Sequence, residues 1–283
     1  MLHSSRRIHF QFFLREANMA GRFFCFVGRR FCGSHSGEPS SRMPANLNSR
    51  PLFCFGHRGA RGHEPENTVR SVRKAIDLGA RGIEVDVYCV EGRLVVIHDD
   101  TLQRTTQGRG RVMEQTFLHL RSLNAGQGER IPTLEEVFEA VNHRAWINVE
   151  LKGPQTAAPV VALIERYVKE RGWRHDEFLI SSFDRDLLAA VRERSAKLQL
   201  GVLFERMPAR PFALAEKLKA CSVHPPMKAV NARFVRAAHR RGFKVFAYTV
   251  NRPGDIARMS ELGVDGVFSD YPERVVQHAP PRP

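Results

Sequence analysis

The stretch RGIEVDVYCVEGRLVVIHDD, which runs from Arg81 to Asp100, decides the fold of this chain. Its two strand-like parts, GIEVDVY and LVVIHDD, are rich in Ile and Val and are separated only by Cys89–Arg93. A parallel connection between two strands needs roughly a dozen residues or more, so this short link predicts an antiparallel hairpin. The Glu91-Gly92 pair within the link is typical of the turn of such a hairpin.

The predicted hairpin returns a histidine to a pair of carboxylates. Glu84 and Asp86 are two residues apart, so their side chains share one face of the strand. Pairing about the turn places residue 85 opposite residue 98, so His98 is expected to lie beside both. A buried charge costs free energy unless it is paired or binds a metal. Two carboxylates inside an apolar strand therefore indicate a site with a chemical role.

Nine strand-like runs follow one another from residue 51 onward, and helical patterns lie between most of them. Because the third run is the return of the hairpin, eight runs remain for a parallel sheet. Most runs are almost continuously apolar, as expected of parallel strands covered on both faces. The pattern predicts an α/β fold, a TIM (β/α)₈ barrel with a β-hairpin after the second strand. The runs are LFCFGHRGA, GIEVDVY, LVVIHDD, WINVELK, FLISSF, LQLGVLF, CSVHP, KVFAYTV and GVFSDYP.

The chain of 283 residues is 42% hydrophobic, which is enough for one full core, and we expect a single barrel domain over residues 51–278. The formal net charge of +14 is spread along the chain rather than confined to one tail. An Arg-rich, solvated surface explains this charge without any function. The functional interpretation is attraction to anionic partners, namely phosphate esters, an acidic membrane surface or nucleic acid.

Residues 1–50 are rich in Arg, Ser and Phe and contain only two acidic residues. We expect a basic, disordered leader, which is either an organellar transit peptide or a start-site extension, because Met19 and Met43 are plausible later starts. Its longest apolar run, FFCFV, is too short for a signal-peptide core or a membrane span. No run of eighteen apolar residues occurs in the chain, so no transmembrane segment is predicted.

The cysteines indicate a reducing compartment. They are odd in number and show no CxxC spacing, which argues against a disulfide framework or a zinc site. We therefore expect a cytoplasmic location, with organellar import as the alternative if the leader is a genuine transit peptide. The cysteines are Cys25, Cys32, Cys54, Cys89 and Cys221.

Charged residues and histidines occur where several predicted strands end. Catalytic groups of TIM barrels gather at the carboxyl ends of the strands. One carboxylate there is as well explained by a salt bridge inside the barrel, but a whole set from adjacent strands is hard to explain in that way. The set consists of His57 and Arg58 after the first strand, Glu84 and Asp86 on the second, His98 on the hairpin, and Glu150 and Lys152 at the end of the next parallel strand.

These residue types suit one kind of chemistry. Three carboxylates form a hard oxygen site for Ca²⁺ or Mg²⁺. Arg58 and Lys152 can hold an anionic oxygen, and Arg58 can do so in a bidentate manner. Two histidines that titrate near neutrality can act as general acid and general base. Together they predict hydrolysis of a phosphate ester.

The chain resembles the glycerophosphodiester phosphodiesterase family over about residues 51–275. The resemblance implies a TIM barrel, a divalent metal, and cleavage of glycerophosphodiesters to sn-glycerol 3-phosphate and an alcohol. It also implies a small capping insertion at about residues 99–130. The motifs that carry it, in order and at the usual spacing, are GHRGARGHEPENT, GIEVDVY, VVIHDDTLQRTT, IPTLEEV, NVELK, YTVN and GVDGVFSDYP.

The resemblance assigns roles to individual residues and leaves the division of work between the two histidines open. Glu66 is best explained as a salt-bridge partner of Arg58. By position, the metal ligands are Glu84, Asp86 and Glu150, the acid–base pair is His57 and His98, the cations on the phosphate are Arg58 and Lys152, and Asn67 lies near the substrate.

An apolar wall beside the glycerol is a further expectation. Tyr248 stands before TVN, where many members of the family have Trp. Phe183, at the end of SSF, is a second candidate for this wall. Packing in the core explains either aromatic residue equally well.

Two other functional classes stay open. A related enzyme of the lysophospholipase D type would act on lipids at a membrane surface, and it would favour an exposed apolar patch near the mouth. A non-catalytic, anion-binding barrel would use the basic surface and would not need the metal and histidine set. We expect a small-molecule glycerophosphodiester as the partner and no nucleic acid. The sequence does not indicate an oligomeric state or a head group.

Overall fold

The computed structural model describes residues 51–278, and the leader predicted for residues 1–50 lies outside the described residues. Nine strands occur in the described part: β1 Phe53–Gly56, β2 Gly82–Val90, β3 Arg93–Val96, β4 Trp146–Leu151, β5 Phe178–Ser182, β6 Gln199–Leu203, β7 Ser222–His224, β8 Lys244–Ala247 and β9 Gly266–Ser269. Eight of them are parallel, in the order β1-β9-β8-β7-β6-β5-β4-β2, and β1 also pairs with β2. This pairing closes the ring, so the predicted TIM barrel is confirmed.

The extra strand, β3, is the predicted return of the hairpin. Val90 pairs with Arg93 across Glu91-Gly92, whose φ angles are 50° and 72°. A two-residue turn with two left-handed residues has a twist that matches the strands it joins. Beyond β3, the Ile97 N–H donates to the carbonyl oxygen of Asp86 at 3.0 Å. The register therefore brings the chain back beside the carboxylates of β2, as the sequence predicts.

A helix follows each parallel strand, and one more helix, α2, lies after the hairpin. Local signals start these helices: the Thr68 hydroxyl accepts the Ser71 N–H, and Thr133 and Glu136 form a capping box. Among residues 51–278 the helices are α1 Val69–Asp77, α2 Phe117–Ser122, α3 Leu134–Val141, α4 Ala157–Arg171, α5 Arg185–Arg194, α6 Ala213–Lys217, α7 Ala232–His239, α8 Pro253–Glu261 and α9 Pro272–Gln277. Short 3₁₀ turns occur at Val112–Glu114, His175–Glu177 and Met227–Ala229.

The segment between β3 and α3 forms the predicted insertion and has an apolar cluster of its own. Tyr88 and Val95 of the hairpin contribute to this cluster, so the insertion packs on the projecting part of β2 and β3. Burial of such side chains stabilises the insertion independently of the barrel interior. From the insertion, the cluster takes in Leu102, Val112, Leu120, Leu123, Ala125 and Ile131.

Aromatic rings fill the barrel beneath the carboxyl ends of the strands. Phe55 stacks on Phe268 with ring centroids 4.9 Å apart, and the edge of Phe246 meets Phe55 at 5.3 Å. Phe53 and Trp146, at the starts of their strands, extend the group toward the opposite end of the barrel. The interior is therefore packed, as in other TIM barrels, and the buried His224, which is hydrogen-bonded to Ser222, packs against Phe246 and Phe268.

Two features bear on the expected compartment. Among residues 51–278, no helix has the length and apolar character needed to cross a bilayer. Cys54, Cys89 and Cys221 are free thiols, whereas Cys25 and Cys32 lie outside the described residues. The compartment itself stays a prediction.

Candidate active site

A cavity of about 180 Å³ opens at the carboxyl ends of the parallel strands. A larger groove of about 300 Å³ lies between β3 and α4, but one glutamate and no histidine line it. The cavity at the strand ends brings together both predicted histidines, two of the predicted carboxylates and both predicted aromatic residues. Its lining consists of His57, Arg58, Glu84, His98, Asn148, Glu150, Ser181, Phe183, Leu203, Tyr248, Thr249 and Phe268.

Glu84, Asp86 and Glu150 form one cluster at the floor of the site. Asp86 pairs with Glu150 in the register of β2 and β4, and each of the three offers an oxygen within 4.8 Å of the other two. All three are at least 91% buried. Burial, and then the negative charge of Asp86 and Glu150, raise the pKa of Glu84 well above its usual range. Burial and Asp86 likewise raise the pKa of Glu150 to about 7.

The surrounding residues donate a hydrogen bond to one oxygen of each carboxylate. The Arg58 backbone N–H donates to Oε2 of Glu84 at 2.8 Å, while Oε1 of Glu84 is buried without a partner. Asn67 donates to Oδ2 of Asp86 at 2.9 Å, and Lys152 donates to Oε1 of Glu150 at 2.9 Å. A buried carboxylate oxygen without a donor, within a cluster of three carboxylates, suits a divalent cation.

Arg58 owes its position to an unusual backbone conformation. Its φ is 53°, a left-handed value that non-glycine residues rarely adopt. This conformation directs the backbone N–H toward Glu84, and the guanidinium lies against Glu66 at 2.7 Å and Asp86 at 3.5 Å. Strained backbone of this kind tends to occur at functional sites. The 2.7 Å contact between the Arg58 guanidinium and Glu66 is the salt bridge that the sequence predicts.

Each histidine of the pair is held by a carboxylate at Nδ1. His57 Nδ1 lies 2.7 Å from Asp270, and His98 Nδ1 lies 2.6 Å from Asp99. An ionised carboxylate only accepts, so Nδ1 carries the proton in both rings and Nε2 is the free base. Nε2 of His98 lies 3.4 Å from the Lys152 ammonium. Both rings therefore present the same atom to the cavity.

Burial sets the ionisation of these rings. It lowers the pKa of His57 and of His98 below 6.5, and the neighbouring carboxylates do not fully compensate. Lys152 behaves differently: burial lowers its pKa, but Glu150 and Asp86 raise it by more, so the ammonium stays charged. At neutral pH, burial thus favours neutral histidines beside the charged ammonium of Lys152.

The two predicted aromatic residues meet at the mouth of the cavity. The rings of Phe183 and Tyr248 are perpendicular, with centroids 6.0 Å apart. The Tyr248 hydroxyl donates to the Phe204 carbonyl oxygen, which fixes the ring, and the Lys152 ammonium lies 5.9 Å from the centroid of Phe183. Phe183 is 39% exposed. An exposed aromatic residue beside a polar cavity is better explained as a binding wall than as core packing.

Asn67 lies behind the cluster. Its amide donates to Oδ2 of Asp86, and its Oδ1 accepts the Asp86 backbone N–H at 3.3 Å. Asn67 is not among the residues that line the cavity. Its observed contacts orient a carboxylate, whereas the role expected from the resemblance was contact with substrate.

A model of the glycerophosphoryl diester phosphodiesterase family matches residues 57–274 of this chain. The chain belongs to the glycerophosphoryl diester phosphodiesterase family. It is therefore a phosphoric diester hydrolase, and the family resemblance seen in the sequence motifs is confirmed. A curated glycerophosphodiester phosphodiesterase from Caldanaerobacter subterraneus is 36% identical over 234 residues, which make up 79% of this chain and 96% of that protein. An enzyme of the same name from Bacillus altitudinis is 37% identical, with the same coverage.

Solved structures agree with this family membership. A phosphodiesterase from Oleispira antarctica, in complex with the product sn-glycerol-3-phosphate, matches with a TM-score of 0.74 and 30% identity, over 80% of this chain and 96% of that one. A glycerophosphodiester phosphodiesterase from Thermotoga maritima matches with a TM-score of 0.65 and 28% identity, over 80% and 97% of the two chains.

The glycerophosphodiester phosphodiesterase site also contains residues that the sequence analysis did not assign. Asp270 and Asn251 lie in the quoted motifs SDYP and YTVN, and Asn251 donates to Asp270 at 2.7 Å. Asp99 follows His98 directly, and Arg104 lies five residues further on. The polar residues at the end of the last strand were a usable signal for Asp270. No periodic pattern marks Arg104, whose contacts depend on the path of the insertion.

Proposed function

We propose that this chain hydrolyses glycerophosphodiesters to sn-glycerol 3-phosphate and an alcohol, with a divalent cation at Glu84, Asp86 and Glu150 and with His57 and His98 as the acid–base pair. The observation that carries the proposal is the arrangement around one cavity: three buried carboxylates with converging oxygens, between two histidines whose Nδ1 atoms are each held by a carboxylate. The product bound to the Oleispira antarctica relative supports the substrate class.

The donor set fits a hard divalent cation, either Ca²⁺ or Mg²⁺. All three ligands are oxygens, and Oε1 of Glu84 is buried without a partner. Burial, and then the charge of the neighbouring carboxylates, raise the pKa values of Glu84 and Glu150. When bound there, a divalent cation supplies Lewis-acid withdrawal of charge from the phosphoryl oxygens.

The residues of the chain perform the remaining steps. Arg58 and Lys152 bind the phosphoryl oxygens and hold the phosphorus in line with the nucleophile. Nε2 of one histidine takes the proton of the nucleophile, which is water or the neighbouring glycerol hydroxyl. The other histidine enters the reaction as the imidazolium, which the anionic phosphodiester beside it favours, and it gives its Nε2 proton to the departing alkoxide. Asp270 and Asp99 stabilise the imidazolium form of the two rings, which the base step forms and the acid step consumes.

The walls of the cavity provide specificity for the glycerol half of the substrate. We assign the apolar contact to Phe183 and Tyr248, whose perpendicular rings form one side of the mouth. We assign to Asn67 the orientation of Asp86 rather than contact with substrate, because both ends of its amide are engaged there. The small volume of the cavity favours water-soluble diesters over lipids with a long acyl chain.

The test is a metal-dependent assay of the full chain on glycerophosphocholine, glycerophosphoethanolamine, glycerophosphoglycerol and glycerophosphoinositol, coupled to detection of glycerol 3-phosphate. Turnover should require Ca²⁺ or Mg²⁺ after chelation. His57→Ala and His98→Ala should each lower kcat by roughly two to four orders of magnitude with metal affinity unchanged. Glu84→Gln, Asp86→Asn and Glu150→Gln should weaken metal binding, whereas Glu193→Gln, on the exposed surface of α5, should change neither quantity.

Four outcomes would contradict the proposal. Full turnover after chelation would exclude the metal, and unchanged calorimetric affinity in all three carboxylate variants would exclude the ligand set. Faster release of choline from lysophosphatidylcholine than from glycerophosphocholine would favour the lysophospholipase D alternative. Binding of nucleic acid in an electrophoretic shift assay without any diester turnover would favour the anion-binding barrel.

A further inference from the structure

Arg104 of the insertion contacts two carboxylates at once. Its Nη1 and Nη2 donate to the two oxygens of Glu66 at 2.8 and 2.7 Å, and its Nη2 also donates to Oδ1 of Asp99 at 2.9 Å. Its Nε donates to Oδ2 of Asp99. The planar guanidinium thus uses two of its edges, each against one carboxylate. Only arginine presents donors in this fixed geometry.

Each of these carboxylates continues to a group of the active site. Asp99 accepts the proton of His98 Nδ1, so it fixes the orientation of that ring. Glu66 accepts from Nη1 of Arg58 at 2.7 Å, so it fixes the guanidinium that we assign to the phosphate. Arg104 therefore connects His98, which follows β3, with Arg58, which follows β1.

The charges along this connection are strongly stabilised. The hydrogen bond from Arg104 is the largest cause of the lowered pKa of Asp99. Burial raises the pKa of Glu66, but the bonds from Arg104 and Arg58 outweigh it and lower the pKa to about 2. Both carboxylates thus stay ionised over the whole neutral range, and they remain acceptors while His98 gains and loses its proton.

The insertion holds Arg104 firmly. Leu102, two residues earlier, is fully buried in the apolar cluster of the insertion. The Thr106 hydroxyl and backbone N–H both donate to the Leu102 carbonyl oxygen, which closes a tight turn around Arg104. The arginine side chain itself is 45% exposed. Its replacement therefore removes contacts of the site without opening a cavity in the core.

We propose that Arg104 is a positioning residue for the phosphodiester reaction: it couples the orientation of His98, through Asp99, to that of Arg58, through Glu66. The inference rests on the proposed function, because it takes the roles of His98 and Arg58 from there. Arg104 touches neither the cavity nor the carboxylates of the metal cluster. Its effect on the reaction passes entirely through the two carboxylates.

The test compares Arg104→Gln with Arg111→Gln in the full chain. Arg111 is a matched control, because it lies in the same insertion, is 61% exposed, and pairs with Asp100 and Glu114 rather than with Asp99 or Glu66. Arg104→Gln should lower kcat/KM for a glycerophosphodiester by roughly 10- to 100-fold, the usual effect of removing such a supporting contact. Arg111→Gln should leave it unchanged. An equal loss in both variants, or none in either, would overturn the inference.

Double-mutant cycles distinguish positioning from a general structural effect. Asp99→Asn and Glu66→Gln should each cost much less in the Arg104→Gln background than in the unmodified chain, because the contact is already lost. Asp270→Asn, which acts on the other histidine, should cost the same in both backgrounds. If the loss of activity in Arg104→Gln simply multiplies with the loss in Asp99→Asn or in Glu66→Gln, the residues act independently and the coupling is contradicted. If Arg104→Gln does not unfold cooperatively, the same cycles are run on Arg104→Lys.

The conservative variant separates charge from geometry. Arg104→Lys keeps the positive charge, but one ammonium cannot serve both carboxylates along two edges, so activity should stay well below that of the unmodified chain. Full activity in Arg104→Lys would overturn positioning by geometry. Failure of the proposed function is recognised separately: in that case the unmodified chain shows no metal-dependent turnover, or His98→Ala retains it.

Discussion

Three factors set the pKa of the Glu150 carboxyl group. Burial and the charge of Asp86 raise its pKa, and the Lys152 ammonium at 2.9 Å opposes them. The net result is a pKa of about 7, well above the ordinary value of 4.5. Lys152 is shared with Asp86 at 3.7 Å, so one cation faces two anions. The negative charge of the cluster is therefore not balanced by Lys152 alone, and it favours binding of either a proton or a metal cation.

We predict that a divalent cation displaces a proton from Glu150. Because its folded pKa exceeds its unfolded value, Glu150 stabilises the metal-free fold fully below about pH 4.5, and this contribution is lost as the pH rises through about 7. Cation binding favours the carboxylate, so metal affinity should increase with pH across this interval. Calorimetric titrations in two buffers with different ionisation enthalpies should therefore give different heats. Glu150→Gln should reduce the difference, and equal heats in the unmodified chain would contradict the prediction.

Residue types at strand ends were enough to locate most of the site from the sequence. Glu84, Glu150 and His57 follow from the rule that parallel strands of a barrel end at one face, and His98 follows from the pairing of the hairpin. Asp99 and Arg104 could not be found in this way, because they lie in an irregular segment whose contacts have no periodic pattern. Asn67 was placed near the site, but the direction of an amide depends on partners that only the fold reveals.

At the scale of elements, the hairpin of β2 and β3 is the feature that departs from a simple barrel. It was predictable because a five-residue link between two apolar runs allows only one kind of pairing. Its turn uses two residues with positive φ, and Gly92 has open space around its Cα. The insertion packs on the outer part of this hairpin, so the turn helps to position the insertion as well as the two strands.

We predict that Gly92→Ala destabilises the chain by about 1 kcal/mol, because a φ of 72° costs a residue with a Cβ about that much. No atom obstructs the new methyl group, so backbone strain is the only cause. Gly254→Ala is the control: it lies in α8 with equally open space but without a positive φ, and it should be neutral or slightly stabilising. Urea unfolding measures both. Equal stability of the two variants would show that the turn has a different conformation in solution.

At the scale of the whole molecule, two apolar clusters meet at the reaction site. The barrel core supports the strands that carry Glu84, Asp86 and Glu150, and the second cluster supports the hairpin and insertion that carry His98. The ring of strands closes through the pairing of β1 with β9 and β2. The described fold therefore needs the chain from Phe53, the first residue of β1, onward.

We predict that a chain beginning at Met43 unfolds cooperatively and keeps its kcat, because every strand of the barrel lies within residues 51–278. A chain beginning at His57 is the control. It lacks β1, which leaves β2 and β9 without their shared neighbour, so it should not unfold cooperatively. Calorimetric scans and the diester assay check both. Loss of the unfolding transition in the Met43 chain would show that the leader contributes to the fold.

The two-residue turn between β2 and β3 also restricts how this gene can change. Side chains alternate across a strand, so inserting or deleting a single codon between Cys89 and Arg93 would shift the register by one and move His98 to the opposite face. We therefore expect selection to remove variants in which this turn is longer or shorter by one residue. In the irregular part of the insertion, side chains do not alternate between two faces, so this restriction does not apply there. A change in the length of that part leaves the register that places His98 unchanged.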